Sequence, residues 1–204
     1  MKTREDVYIY IFHRAEGNTP EERLKRGLSQ YLEENLEQLP RVERTDKGKP
    51  YFPDMPQIHF SISHSDECWA CAFYRDNVGL DIQKTSYKRK ESAEEAATRL
   101  KKMADRFFHP LEAKFVEKDV RDNFFNVWTG REAYVKYTGQ GIDRHFSQHC
   151  VIPKEENVWS ELSGRKEYAV WYASGNQFQQ FCFEEEYVGC VCTQQPCGCR
   201  IFKM

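Results

Sequence analysis

In VGLDIQ, residues 78 to 83, Leu80 and Ile82 alternate with Asp81 and Gln83. A period of two puts the carboxylate and the amide together on one face of a strand. Further along, Trp128, Glu132 and Lys136 follow at intervals of four, so a helix stacks them along one face with a carboxylate between an aromatic ring and an ammonium. A solvated ion pair explains Glu132 and Lys136 by itself, at about 0.3 to 0.5 kcal/mol, and a lone strand aspartate is ordinarily a turn or edge residue. Magnesium gives the oxygen-bearing side chains a common use, because it sits on one or two carboxylates plus the phosphates of a substrate and keeps several waters. Asp81 and Glu132 offer the carboxylates and Gln83 a neutral oxygen. A diphosphate held there needs cations and hydroxyl donors, and Lys49, Ser63, His64 and Lys136 are of the right type. Such a site activates phosphorus toward an incoming hydroxyl while a carboxylate accepts the proton. His64 taken singly reads equally as hydrogen-bonded structure.

The elements that must carry these residues are mixed. VYIYIF (7 to 12) is strand-like, and residues 19 to 39 read as a helix with Thr19 as cap, Pro20 at its first position and Leu24, Leu28, Tyr31, Leu32, Leu36 and Leu39 on one face. Residues 46 to 56 form a loop rich in Gly and Pro. In HFSISHS (59 to 65) Phe60 and Ile62 point one way and Ser61 and Ser63 the other, and CWACAFY and VGLDIQ continue as two more strands. A helix opens at the capping box Ser92 and Glu95, with Ala96, Leu100, Met103 and Phe107 at helical spacing. Others begin near Pro110 and run from about Asp122 to Tyr137, where Gly139 or Gly141 supplies the stop. The last fifty residues read as a β-meander. VYIYIF and VGLDIQ are alike in each being a strand followed by a basic turn and a long helix, as if the fold were made twice.

Composition excludes several classes. The 204 residues are 40% apolar and 14% aromatic, enough for a substantial core, and 30 basic against 32 acidic side chains leave a formal charge of -2. That balance gives no global electrostatic case for nucleic acid or an anionic membrane. No apolar stretch approaches about 18 residues and the N-terminus lacks the pattern of a signal peptide, so a cytoplasmic protein is expected. Of the eight cysteines, Cys190, Cys192, Cys197 and Cys199 cluster as C-x-C-x4-C-x-C. They read either as zinc ligands or as small apolar residues in a terminal hairpin turning at Gln194 to Gly198.

Five motifs, GKPYFPD (48 to 54), HFSISHS (59 to 65), VGLDIQK (78 to 84), RFFHPLE (106 to 112) and FNVWTGREAYVKYTGQG (125 to 141), stand in an order that resembles the 4'-phosphopantetheinyl transferases of the surfactin-synthetase-activating (Sfp) type. The resemblance implies an α+β pseudo-dimer of two similar halves, 1–76 and 77–204, with the active site between them, in a chain that works as a monomer. It implies transfer of the phosphopantetheine arm of coenzyme A to a serine of an acyl or peptidyl carrier protein, with magnesium as cofactor and adenosine 3',5'-bisphosphate released. Asp81, Gln83 and Glu132 match the metal positions and Glu132 is also the base; Lys49, Ser63, His64 and Lys136 match contacts to coenzyme A, with Lys136 near the diphosphate. Two departures accompany the match. Gln83 stands where many members carry a third acid, and the N-terminal region is short, leaving Arg23, Lys25 and Arg26 as candidates for the 3'-phosphate. These departures motivate an alternative, a coenzyme A binding or regulatory protein without turnover. The basic turn KTSYKRK (84 to 90) with Arg99, Lys101 and Lys102 is expected to face an acidic carrier.

Overall fold

The computed structural model describes residues 5–13, 18–86, 91–141 and 148–204. Strand β1 (Val7–His13) leads to helix α1 (Pro20–Leu32), opened by the Thr19–Glu22 capping box with Pro20 in its first turn. The helix ends seven residues earlier than the leucine spacing predicts. Glu33 turns left-handed at φ 59°, and the acidic run Glu33, Glu34 and Glu37 opposes the negative end of the helix dipole. Leu36 and Leu39 nonetheless pack on the same core from the loop.

The Gly- and Pro-rich loop contains a small ribbon, β2 (Glu43–Arg44) with β3 (Pro50–Tyr51). Strands β4 (His59–Ser65), β5 (Cys68–Tyr74) and β6 (Gly79–Lys84) follow where alternation and β-branched or aromatic content place them. Three helices come next, α2 (Ala93–Phe107), α3 (Pro110–Val116) and α4 (Val120–Thr138). Ser92 and Glu95 form the predicted capping box of α2, and Gly139 at φ 66° ends α4 in the conformation that favours glycine. Of the phenylalanines around the α2–α3 junction, Phe108 and Phe115 are core while Phe107 is 41% exposed. A short helix, α5 (Trp159–Leu162), precedes β7 (Tyr168–Ala173), β8 (Asn176–Phe183), β9 (Tyr187–Thr193) and β10 (Cys199–Lys203).

The strands make two four-stranded sheets, ordered β10-β1-β5-β4 and β6-β9-β8-β7. The meander is present as β7, β8 and β9, joined antiparallel. The terminal hairpin is not: β9 lies between β6 and β8, whereas β10 crosses over and pairs parallel to β1, Val7 opposite Cys199. The last described strand, β10, thus joins the sheet of β1, β4 and β5, while β6 to β9 make the other. Cys190 and Cys192 are buried in β9 and Cys197 and Cys199 lead into β10; no three of the four bring their sulfurs together as a metal cluster.

Apolar faces of both sheets share one core, with Ile9, Ala70, Leu80 and Ile82 against Phe181, Tyr187 and Val191. A second core lies under α1, and a third joins α2, α3 and α4 to Trp171 and Phe178. In the third, the fully buried Glu112 accepts hydrogen bonds from Arg131 Nη1, Val151 N (2.7 Å) and His109 N (2.9 Å), and Arg131 donates to His149 O at 3.0 Å. This ion pair fixes the rotation of α4. No described helix is long and apolar enough to cross a membrane.

Candidate active site

The site forms where β4, β6 and α4 meet. Serines at every second position of β4 face β6, and their hydroxyls replace the backbone ladder a neighbouring strand would supply. Ser61 Oγ accepts from Leu80 N (3.0 Å), Ser63 Oγ from Ile82 N (3.1 Å) and Ser65 Oγ from Lys84 N (2.9 Å). The buried backbone donors of β6 are thus satisfied across the boundary between the sheets. Ser63 also donates to Asp81 Oδ1 at 2.7 Å.

Helix α4 reaches the same carboxylate from the other side. Gly79 permits the approach: a Cβ there would lie 1.9 Å from Ala133 O and 2.5 Å from Tyr137 N. Lys136 Nζ then donates to Asp81 Oδ1 at 2.7 Å. Asp81 is only 6% exposed, and burial raises its pKa while Lys136 and Ser63 hold it down. Glu132, one turn before Lys136 on α4, is half-buried; burial raises its pKa first and the Asp81 charge adds to that. Two carboxylates of which one raises the other's pKa are a donor set suited to a hard divalent cation. Gln83, half-buried on β6, donates from Nε2 to Lys84 O at 3.3 Å. Its side-chain oxygen and the two carboxylates are the groups here that can hold magnesium.

Beside Lys136 opens a cavity of about 230 Å³ whose lining includes four basic residues, Arg44, Lys47, Lys49 and Lys136, with Phe60, Ser61 and Ile62 as its β4 wall. The predicted cation Lys49 contributes its stem, which lies against Gly139. Its ammonium turns inward to Asn77 Oδ1, Val78 O (3.3 Å) and Tyr137 O (2.8 Å), closing the end of α4. Burial lowers the Lys49 pKa to about 8. Ser63 does not line the cavity; its hydroxyl is spent on Asp81 and β6, and Ser61 occupies the wall instead. His64 is exposed, one pleat beyond Ile62 on the face of β4 that lines the cavity.

Arg44 and Lys47 escaped the sequence reading, although basic residues flanking the Gly48–Lys49–Pro50 turn were a visible signal. The basic residues of α1 lie elsewhere: Arg23 is buried, Arg26 stands over the Phe12 ring at 5.4 Å, and Lys25 donates to Glu37 O. Of the residues expected to face a carrier, Arg99 is paired in two hydrogen bonds with Glu91 and Lys101 is paired with Glu117; residues 87–90 of the basic turn lie outside the described residues.

Asp81, held by Lys136 and Ser63, thus stands with Glu132 at the junction of the two sheets, and Lys136 also lines a cavity with Arg44, Lys47 and Lys49. The family model of the 4'-phosphopantetheinyl transferase superfamily matches residues 77–192, from the start of β6 to the end of β9, and the chain belongs to that superfamily. It is 29% identical over 163 residues to a 4'-phosphopantetheinyl transferase of Bacillus subtilis, covering 77% of this chain and 64% of that protein. It is 36% identical over 106 residues to the 4'-phosphopantetheinyl transferase Sfp of Bacillus subtilis (strain 168), covering 50% and 42%. With the 4'-phosphopantetheinyl transferase gsp of Aneurinibacillus migulanus it shares 36% identity over 103 residues, covering 48% and 38%. The chain thus spans less than two thirds of the length of each of these relatives.

Proposed function

We propose that this chain transfers the 4'-phosphopantetheine arm of coenzyme A to a serine of an acyl or peptidyl carrier protein, as a monomeric enzyme of the Sfp type. The observation that carries the reading is the convergence on Asp81 of Ser63 from one sheet and Lys136 from α4, beside Glu132 and the cavity lined by Arg44, Lys47, Lys49 and Lys136. The order of strands supports a pseudo-dimer: β1-β5-β4 and β6-β9-β8 each pair a first strand antiparallel to a last one, with a helix following the first strand.

In this reading the basic cavity receives the phosphates of coenzyme A, and Arg44 and Lys47 supply charge that Lys49 does not. His64 contacts a phosphate from its exposed position on β4, and Ser63 acts by fixing Asp81. Asp81 and Glu132, with Gln83 as neutral helper, hold magnesium, which when bound spreads the charge of the diphosphate. Glu132 accepts the proton of the carrier serine as its oxygen bonds to the β-phosphorus. The bond from that phosphorus to the bridging oxygen breaks, and adenosine 3',5'-bisphosphate leaves with the electron pair. Lys136 offsets charge at the diphosphate.

Incubation of the chain with coenzyme A, magnesium and a panel of carrier proteins tests this. A carrier mass gain of one phosphopantetheine arm, matched mole for mole by adenosine 3',5'-bisphosphate and abolished by chelation, is expected. Coenzyme A binding that stabilises the chain with no mass gain on any carrier would favour the regulatory alternative that Gln83 motivates.

A further inference from the structure

A second group of ligating side chains lies where the end of β1 meets the start of β5. His13 closes β1 and is the register partner of Cys68, the first residue of β5. Directly opposite residues of an antiparallel pair project on the same face. Glu184, in the turn between β8 and β9, reaches them from the other sheet, with its Oε1 2.9 Å from His13 Nε2. The ligand atoms of His13, Cys68 and Glu184 all lie within 4.8 Å of one another, and among the described residues no other such group occurs.

We propose that His13, Cys68 and Glu184 form a zinc site that clips the first sheet to the β8–β9 turn. Zinc takes nitrogen, sulfur and carboxylate oxygen at bond lengths that put tetrahedral ligands about 3.3 to 3.8 Å apart, so the three atoms meet around one ion with side-chain adjustments under about 1 Å. Thiolate and imidazole favour zinc over magnesium or calcium. The ligand types are mixed and come from three separate elements, which distinguishes the group from a chance acidic patch. On binding, the Cys68 thiol gives its proton to solvent and the His13–Glu184 hydrogen bond yields to coordination.

The surroundings suit a cation. Tyr187 interacts with Cys68. The nearby Lys84 is neutralised by Asp66 at 2.5 Å and Glu186 at 3.6 Å. The His13 and Glu184 side chains are 46% and 32% exposed, so solvent reaches the group and supplies the fourth ligand. Because the ligands span both sheets, binding ties the β8–β9 turn to the ends of β1 and β5.

Cobalt(II) titration of the anaerobically purified chain, in excess magnesium, tests the site. One cobalt per chain with tetrahedral d–d bands and a thiolate charge-transfer band is expected, displaced by zinc. Zinc at a hundredfold excess over its Kd should raise the thermal midpoint by about 5 to 10 °C. His13→Ala, an exposed position that leaves the core intact, and Cys68→Ser should both lose the charge-transfer band, while Asp81→Asn keeps it. No cobalt bound, a spectrum without the thiolate band, a band that survives His13→Ala, or one lost in Asp81→Asn would each overturn the assignment.

Discussion

Replacing Glu112 by alanine should unfold this chain far more readily than any surface change. The carboxylate is 0% exposed and Arg131 2%. Removing Glu112 takes the counter-charge from a buried guanidinium and deprives Val151 N and His109 N of their acceptor. Breaking a buried ion pair from one side costs about 3 to 5 kcal/mol. For a chain of this size each kcal/mol lowers the midpoint by about 2 to 4 °C, so the expected shift is about 6 to 20 °C. Thermal and urea unfolding followed by tryptophan fluorescence measure it, because Trp159 and Trp171 sit in the same core. The double variant Glu112→Leu/Arg131→Met removes both charges and should lose less stability than Glu112→Ala alone, since apolar replacement of a whole buried pair is often neutral. A Glu112→Ala chain within about 1 kcal/mol of wild type, or a double variant worse than the single, would refute the reasoning.

Three further outcomes follow from the contacts around β6 and α4. Gly79→Ala drives a methyl into Ala133 O and should cost about 3 kcal/mol or more, beyond ordinary overpacking, read by urea denaturation. Ser63→Ala removes the acceptor of Ile82 N and the donor to Asp81; a loss of about 1 to 3 kcal/mol is expected, and an unchanged midpoint would contradict the serine bridge. Lys49 has a folded pKa lowered from 10.5 to about 8. Between those values the unfolded chain binds more protons, so wild-type stability relative to Lys49→Met should rise with pH from about 8 to about 10.5, by at most about 3 kcal/mol. A flat difference across that window would show that the ammonium is not desolvated.

Local periodicity carried most of the elements. Alternation located β4 and β6, and period two and period four set Asp81 on one strand face and Glu132 and Lys136 on one helix face, because each face needs only a few residues to define; that the two faces meet is a matter of packing. What failed was long-range. The parallel pairing of β10 with β1 joins the two ends of the described chain, and nothing within CGCRIF marks a strand for another sheet. The alternating cysteines invited a local explanation, a hairpin or a zinc knot, where the chain uses Cys190 and Cys192 as small buried residues in the middle of a sheet. The serines of β4 were visible at period two, yet their role depends on β6 arriving at hydroxyl distance. Lys49 was read from its charge; its inward turn depends on carbonyls at Val78 and Tyr137 that only the folded end of α4 presents. Glu112 and Arg131 lay within motifs quoted for their resemblance, and their partnership is a matter of α3 packing on α4.

The transfer reaction itself is tested most directly by intact-mass measurement on a carrier protein incubated with coenzyme A and magnesium, comparing wild type with Glu132→Ala at matched folded protein. The wild-type chain is expected to add one phosphopantetheine arm to the carrier and the variant essentially none. No addition by the wild type across carriers of fatty acid, polyketide and peptide synthesis, or equal addition by both proteins, would contradict the account.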